Sequence, residues 1–262
     1  MVRKREIPLR GYLPFLHAAM PMPGMAEEKI MQFYGFQKLT LLDFPGKVAC
    51  TLFTGGCNLR CPFCHNALLV TELEQAEEVW DETDVLEYLR RRRGLLDGVC
   101  ITGGEPTLRP ELPAFLRRVR ELGYAVKLDT NGTHPDVLRQ VVAAGLIDYV
   151  AMDIKNCADK YAITAGVGQD RLSGVSESID YLLSGAVDYE FRTTVVRELH
   201  TVEDIAAIAE RITGARRYFI QNFKDSGSLV GKGRYSAHTP QTLEAMKKTA
   251  CDRGIPTELR GV

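Results

Sequence analysis

The stretch Val48-Ala49-Cys50-Thr51-Leu52-Phe53-Thr54, running into Gly55-Gly56-Cys57-Asn58-Leu59-Arg60-Cys61-Pro62-Phe63-Cys64, decides how this chain is read. Its first half is a short apolar run rich in β-formers, bounded by glycines, and reads as a buried strand. Its second half sets three cysteines at a spacing that suits three thiolates on one iron–sulfur cluster. A cubane cluster has four irons, so three cysteines leave one iron open to a cofactor or substrate. Two other readings share these residues. Zinc sites usually show two separated pairs of ligands; no second pair follows here, although His65 is adjacent to Cys64 as a fourth ligand. A disulfide needs an oxidising compartment, and seven cysteines without a convincing export signal point to a reduced, cytoplasmic chain.

At 262 residues the chain is long enough to bury a large core. A formal net charge of −1 gives no global drive toward nucleic acid or a membrane surface. No run of about eighteen apolar residues marks a membrane span. Arg90 to Arg93, with Arg117, Arg118 and Arg120, read as solvated helix ends and faces. Residues 1–30 resemble a signal peptide only faintly, because prolines and a histidine interrupt a short apolar region. They read as an extension, either disordered or the product of a start codon placed too far upstream, ahead of one domain over 31–262.

From Lys47 onward, β-rich apolar runs alternate with amphipathic stretches, the pattern of parallel strands joined by right-handed crossovers. The strands read as Val48 to Thr54, Gly98 to Thr102, Ala125 to Thr130, Tyr149 to Ile154, Tyr189 to Val196 and Tyr218 to Phe223, with a last short strand near Pro256 to Leu259. Helices read near Thr83 to Arg93, Glu111 to Leu122, Pro135 to Ala144, Leu172 to Ser184, Val202 to Ile212 and Pro240 to Arg253. Polar and glycine-rich segments fall just after the strands. The cysteine loop follows the first, Gly103-Gly104-Glu105-Pro106 the second, and Asn131-Gly132 the third. In parallel α/β barrels that end collects every βα loop into one crevice. Cys50, Cys100, Cys157 and Cys251 are scattered and read as small buried hydrophobes.

With the cysteine loop and the Gly-Gly-Glu-Pro turn so placed, the chain resembles the radical S-adenosylmethionine (SAM) superfamily. Within it, Gly35-Phe36-Gln37-Lys38-Leu39-Thr40-Leu41-Leu42-Asp43-Phe44-Pro45-Gly46-Lys47 and the segment Thr54 to Asn66 are similar to the longer activating proteins of anaerobic ribonucleoside-triphosphate reductase. Pyruvate formate-lyase activating enzyme is a related group. The resemblance implies an α/β fold, a partial (β/α)6 TIM-like barrel. It also implies one 4Fe-4S cluster on Cys57, Cys61 and Cys64, with SAM chelating the open iron. Reductive cleavage to a 5′-deoxyadenosyl radical follows from the same resemblance.

The same resemblance gives roles to other residues. Phe63 stands just before the last cysteine. Gly103 and Gly104 would let backbone approach the methionine amino group, and Glu105 would pair with it or brace the turn. Asp129, Asp153 and Lys155 match positions that contact ribose and the methionine carboxylate, partly through a monovalent cation. Arg192 lies inside the fifth strand, where an inward arginine needs an anion: the cofactor carboxylate or an internal one. After the sixth strand, Gln221-Asn222-Phe223 departs from the histidine of formate-lyase activases. The implied partners are a glycyl-radical enzyme, in the first place anaerobic ribonucleotide reductase, and a one-electron donor such as flavodoxin or ferredoxin. The alternatives are activation of another glycyl-radical enzyme, radical chemistry on a small molecule or RNA, and a non-catalytic iron–sulfur or zinc module.

Overall fold

A computed structural model describes residues 30–225 and 227–261; the expected extension lies outside them except for Ile30. The chain opens with β1 (Gln32–Thr40), β2 (Ala49–Thr54), the short helix α1 (Ala67–Thr71) and β3 (Trp80–Asp81). Regular alternation follows: α2 (Glu82–Arg91), β4 (Gly98–Gly103), α3 (Leu112–Glu121), β5 (Ala125–Thr130), α4 (Pro135–Ala143) and β6 (Tyr149–Asp153). Then come α5 (Ala158–Ala165), α6 (Ser173–Leu183), β7 (Asp188–Val195), α7 (Val202–Arg211), β8 (Tyr218–Asn222), α8 (Pro240–Cys251) and β9 (Thr257–Arg260). One sheet in the order β3-β1-β2-β4-β5-β6-β7-β8-β9 holds every strand, and β3 and β9 are its two unpaired edges. From β2 to β9 all pairings are parallel. The sheet is therefore an unclosed α/β barrel, as the alternation predicts.

Period-two alternation decides which side chains enter the barrel. In β5, Val126 and Leu128 pack outward among buried apolar neighbours, while Lys127 and Asp129 share the inner face with Cys100 and Thr102 of β4. In β7, Tyr189, Phe191 and Val195 join the outer core and leave Glu190 and Arg192 inside. The apolar core thus lies between sheet and helices, and the lumen is polar. Start signals hold the helices in place: Thr201 and Asp204 form a reciprocal cap on α7, and Asp81 caps α2.

The structure adds elements that the alternation does not announce. β1 runs antiparallel to β2 with register irregularities between Phe33 and Phe36 and between Gln37 and Thr40. Those bulges break the period-two pattern and hide the strand from sequence. Two-residue β3, and the short helices α1 and α5, have too few residues for a visible period. Of the scattered cysteines, Cys50 and Cys100 are buried as expected, Cys157 is half-buried, and Cys251 is exposed on the last turn of α8, contrary to expectation. The arginine runs are surface residues with local partners: Arg91 pairs with Glu87, Arg118 with Glu82 and Arg120 with Asp148.

Phe44 closes the barrel at the amino ends of the strands. It packs on Ala49, Ala125 and Tyr149, its ring centroid 6.2 Å from that of Tyr149. A β-carbon on Gly98 would meet its ring at 2.9 Å. The Phe44→Ala chain should lose about 3 kcal/mol of unfolding free energy, the usual cost of truncating a buried aromatic. Leu42→Ser, at a side chain 90% exposed, should change it by less than about 0.5 kcal/mol. Urea denaturation distinguishes them, and equal losses would show that Phe44 is no plug.

Candidate active site at the open rim

A cavity of about 340 Å³ lies inside the sheet at the carboxyl ends of its parallel strands, a size suited to a small ligand. Cys57, Cys61, Phe63, Cys64, Gly103, Gly104, Glu105, Asp129, Asp153, Lys155 and Arg192 all line it. Gln221 lines it too, where the departure after the sixth strand falls.

The cysteine loop has no regular structure, so its backbone groups find partners in other segments. Gly56 N donates to Leu69 O (2.6 Å), Arg60 N to Ala165 O (2.8 Å), Val230 N to Cys64 O (3.0 Å) and Gly231 N to Pro62 O (2.9 Å). Phe63 is buried edge-on to His200, with centroids 6.0 Å apart. His200 in turn is set by two bonds: Val196 N donates to its Nδ1 (3.1 Å), so its Nε2 carries the proton and donates to Lys155 O (2.8 Å). Burial pushes this imidazole down, keeping it neutral.

The Gly-Gly-Glu-Pro turn packs against the same loop. A β-carbon on Gly104 would overlap the Gly56 carbonyl, and one on Gly103, whose φ is +109°, would meet Thr54 backbone at 2.5 Å. Glycine is therefore required here by contact of one loop backbone with another, before any ligand enters. Glu105 braces the turn. Its buried carboxylate accepts from Thr107 N (3.1 Å), Thr107 Oγ1 (2.6 Å), Thr130 Oγ1 (2.8 Å) and Asn131 N (2.7 Å). Burial raises its carboxyl even against those bonds.

Across the cavity the charges alternate in sign. Lys127 pairs with Asp129, which accepts from Arg192 Nη1 (3.1 Å). Arg192 Nε donates to Asp153 (2.9 Å), which accepts from Lys155 (3.0 Å). The anion that Arg192 needs is supplied by two internal carboxylates. Burial alone would raise Asp153, but Arg192 and Lys155 override it and hold that carboxyl well below the usual range. Burial would likewise lower the Lys155 ammonium, and Asp153 and Cys61 hold it up instead.

The donor set fits a cluster better than a lone ion. Among the described residues no three His, Cys, Asp or Glu side chains are grouped to hold a single metal ion. A cluster takes one thiolate per iron, so its cysteines stand around a body instead of meeting at a point. Burial pushes the Cys57 thiol up and that of Cys61 up to about 12, so without a compensating positive charge each stays a neutral thiol. Sequence reasoning assigned nothing to Lys127, Asn131 or His200. Lys127 was detectable, since it stands two residues before Asp129 on one strand face. His200 carries no local signal.

A profile of the Radical SAM superfamily matches residues 51–212. A Methanocaldococcus jannaschii protein named for glycyl-radical enzyme activation is 35% identical over 197 residues, 72% of this chain and 79% of that one. The pyruvate formate-lyase-activating enzyme of Clostridium pasteurianum is 30% identical over 53% of this chain and 58% of its own length. A 7-carboxy-7-deazaguanine synthase of Thermococcus kodakarensis is 33% identical over 38% of this chain and 46% of the synthase. Among solved structures, Streptococcus suis SuiB bound to S-adenosylmethionine superposes with a TM-score of 0.60 at 16% identity, covering 80% of this chain and 52% of SuiB; this is a likeness of fold.

Arg192→Met leaves each buried carboxylate with one lysine and should cost about 3 kcal/mol at neutral pH. Burial raises the Asp129 carboxyl, yet Arg192 and Lys127 outweigh it and hold it low. Its stabilising contribution is therefore present above about pH 4, the unfolded value, and is lost as pH falls below that. Without Arg192 the carboxyls protonate at higher pH. The deficit of the variant, measured by urea denaturation, should be smaller at about pH 3 than at about pH 7; a constant deficit would mean the three side chains are not coupled.

Proposed function

Because the chain belongs to the radical SAM superfamily, whose members carry a 4Fe-4S cluster and use S-adenosylmethionine, we propose that it is a cytoplasmic activase that forms a glycyl radical on a partner enzyme. The partner proposed is anaerobic ribonucleoside-triphosphate reductase, and the electron comes from a flavodoxin or ferredoxin. The observation that carries the reading is the cavity itself: three cysteines and a chain of alternating charges on one rim of an unclosed barrel. The likeness to the M. jannaschii protein spans most of both chains, whereas that to the deazaguanine synthase spans less than half of either. The cysteines described in the structure are all unpaired thiols, as a reducing compartment keeps them. Among the described residues no helix is long and apolar enough to cross a membrane.

In this reading Cys57, Cys61 and Cys64 hold the cluster. When bound, the cluster and SAM supply a 5′-deoxyadenosyl radical that abstracts a hydrogen atom. The chain's own residues do the positioning. Lys155 and Arg192 keep their charges because Asp153 and Asp129 neutralise them in place, so a methionine carboxylate meets donors that need no reorganisation. Phe63, buried edge-on to His200, gives the cavity an apolar wall beside Cys61 and Cys64. The partner's glycine loop would reach the rim as an extended peptide from the unclosed side of the sheet, whose two end strands are β3 and β9.

Anaerobic reconstitution with iron and sulfide, then reduction with SAM, should yield methionine and 5′-deoxyadenosine; Cys61→Ala should abolish both. Lys155→Met should weaken SAM binding about tenfold to a hundredfold, the ~1.5–3 kcal/mol of a charged hydrogen bond. With the reductase added, electron paramagnetic resonance should show a doublet glycyl radical. SAM cleavage without that doublet, on this reductase or on another glycyl-radical enzyme, would turn the assignment toward a small-molecule substrate.

A further inference from the structure

Asn131 is held so that its side-chain amide can point only one way. Its Oδ1 accepts from Thr133 N (3.0 Å) and from Thr133 Oγ1 (2.7 Å). A backbone N–H can only donate, so the amide nitrogen must take the opposite side. There Nδ2 donates to Asn58 Oδ1 (2.9 Å), and Asn58 Nδ2 donates to Thr133 Oγ1 (2.8 Å). Asn58, Thr133 and Asn131 thus form a closed ring of hydrogen bonds, each donating to the next. One amide proton of Asn131 is left over, and it faces Cys57 Sγ at 3.8 Å. Leu59 N supplies that sulfur with a second donor at 3.4 Å. Among the described residues the sulfurs of Cys61 and Cys64, the other two ligands of the proposed cluster, receive no donor. The base of the ring is equally fixed, since Asn131 N donates to the buried carboxylate of Glu105 (2.7 Å).

We infer that Asn131 is a positioning residue that tunes the cluster through Cys57, an inference that rests on the cluster assignment proposed above. A hydrogen bond to a ligating thiolate draws off electron density and favours the reduced, more negative cluster, so it raises the reduction potential. The three thiolates are then unequal, with the donors gathered on Cys57.

The test is electron paramagnetic resonance of the reconstituted protein poised, without SAM, at the potential where the wild-type cluster is half reduced. Asn131→Leu should bind iron and sulfide in wild-type amounts yet show at least a threefold lower ratio of reduced to oxidised cluster. Thr133→Val, which removes the hydroxyl that closes the ring and leaves Asn131 itself in place, should shift the ratio the same way and less. An unchanged ratio with a full cluster overturns the role of Asn131, while a wild-type protein that assembles no cluster overturns the reading beneath it. Should the Asn131→Leu chain fail to bind iron, the Thr133→Val ratio decides by the same criterion: a fall supports the role, and no change overturns it.

Discussion

The site depends on one backbone contact: the turn after β4 lies so close to the start of the cysteine loop that only glycine fits at Gly104, and Glu105 N closes the contact by donating to Gly56 O (2.8 Å). This contact ties the residue just before the first cysteine to the turn after β4. It also carries the Glu105 carboxylate under the rim, where it gathers Thr107, Thr130 and Asn131. A buried carboxylate with four hydrogen bonds is tolerable; with fewer it would leave several donors unpaired in a dry interior. Two βα loops and the end of a third strand are thereby positioned as one body.

The lumen obeys a second constraint. Charges inside a barrel are costly unless each is paired, and here they come in an alternating chain from Lys127 to Lys155. Such a chain adds little stability by itself, because desolvation offsets most of the attraction. Its effect is to hold the charges in place before a ligand arrives. A second set, in which Glu190 takes both Arg260 (2.8 and 3.1 Å) and the Tyr149 hydroxyl (3.0 Å), stiffens the inner face toward the open β9 edge. The sheet ends in short strands, β3 with two residues and β9 with four, and β3 covers only Gln32 and Phe33 of β1.

Much of this was legible from the chain. The parallel strands from β2 to β9 each carry an apolar outer face of period two, and the glycine and cysteine segments punctuate their carboxyl ends. β1 was not legible, because its bulges scramble the alternation, and neither was the reason for Gly103 and Gly104. A glycine signals freedom from a β-carbon and does not say whether the near neighbour is a ligand or, as here, the Gly56 carbonyl. Arg192 showed the same limit: its position demanded an anion, and two candidates satisfied the demand equally.

By itself the sequence determined the layered α/β arrangement, the rim on which the site sits and the side chains that face it, since these follow from local periodicity and from spacing along the chain. Only the tertiary structure decided what those side chains hold. That Glu105 binds three residues of the barrel, that Arg192 lies between Asp129 and Asp153, and that Asn131 turns one N–H toward Cys57 depend on distances between residues up to 74 positions apart. No local pattern encodes such distances, because they are fixed by how parallel strands stack across the sheet.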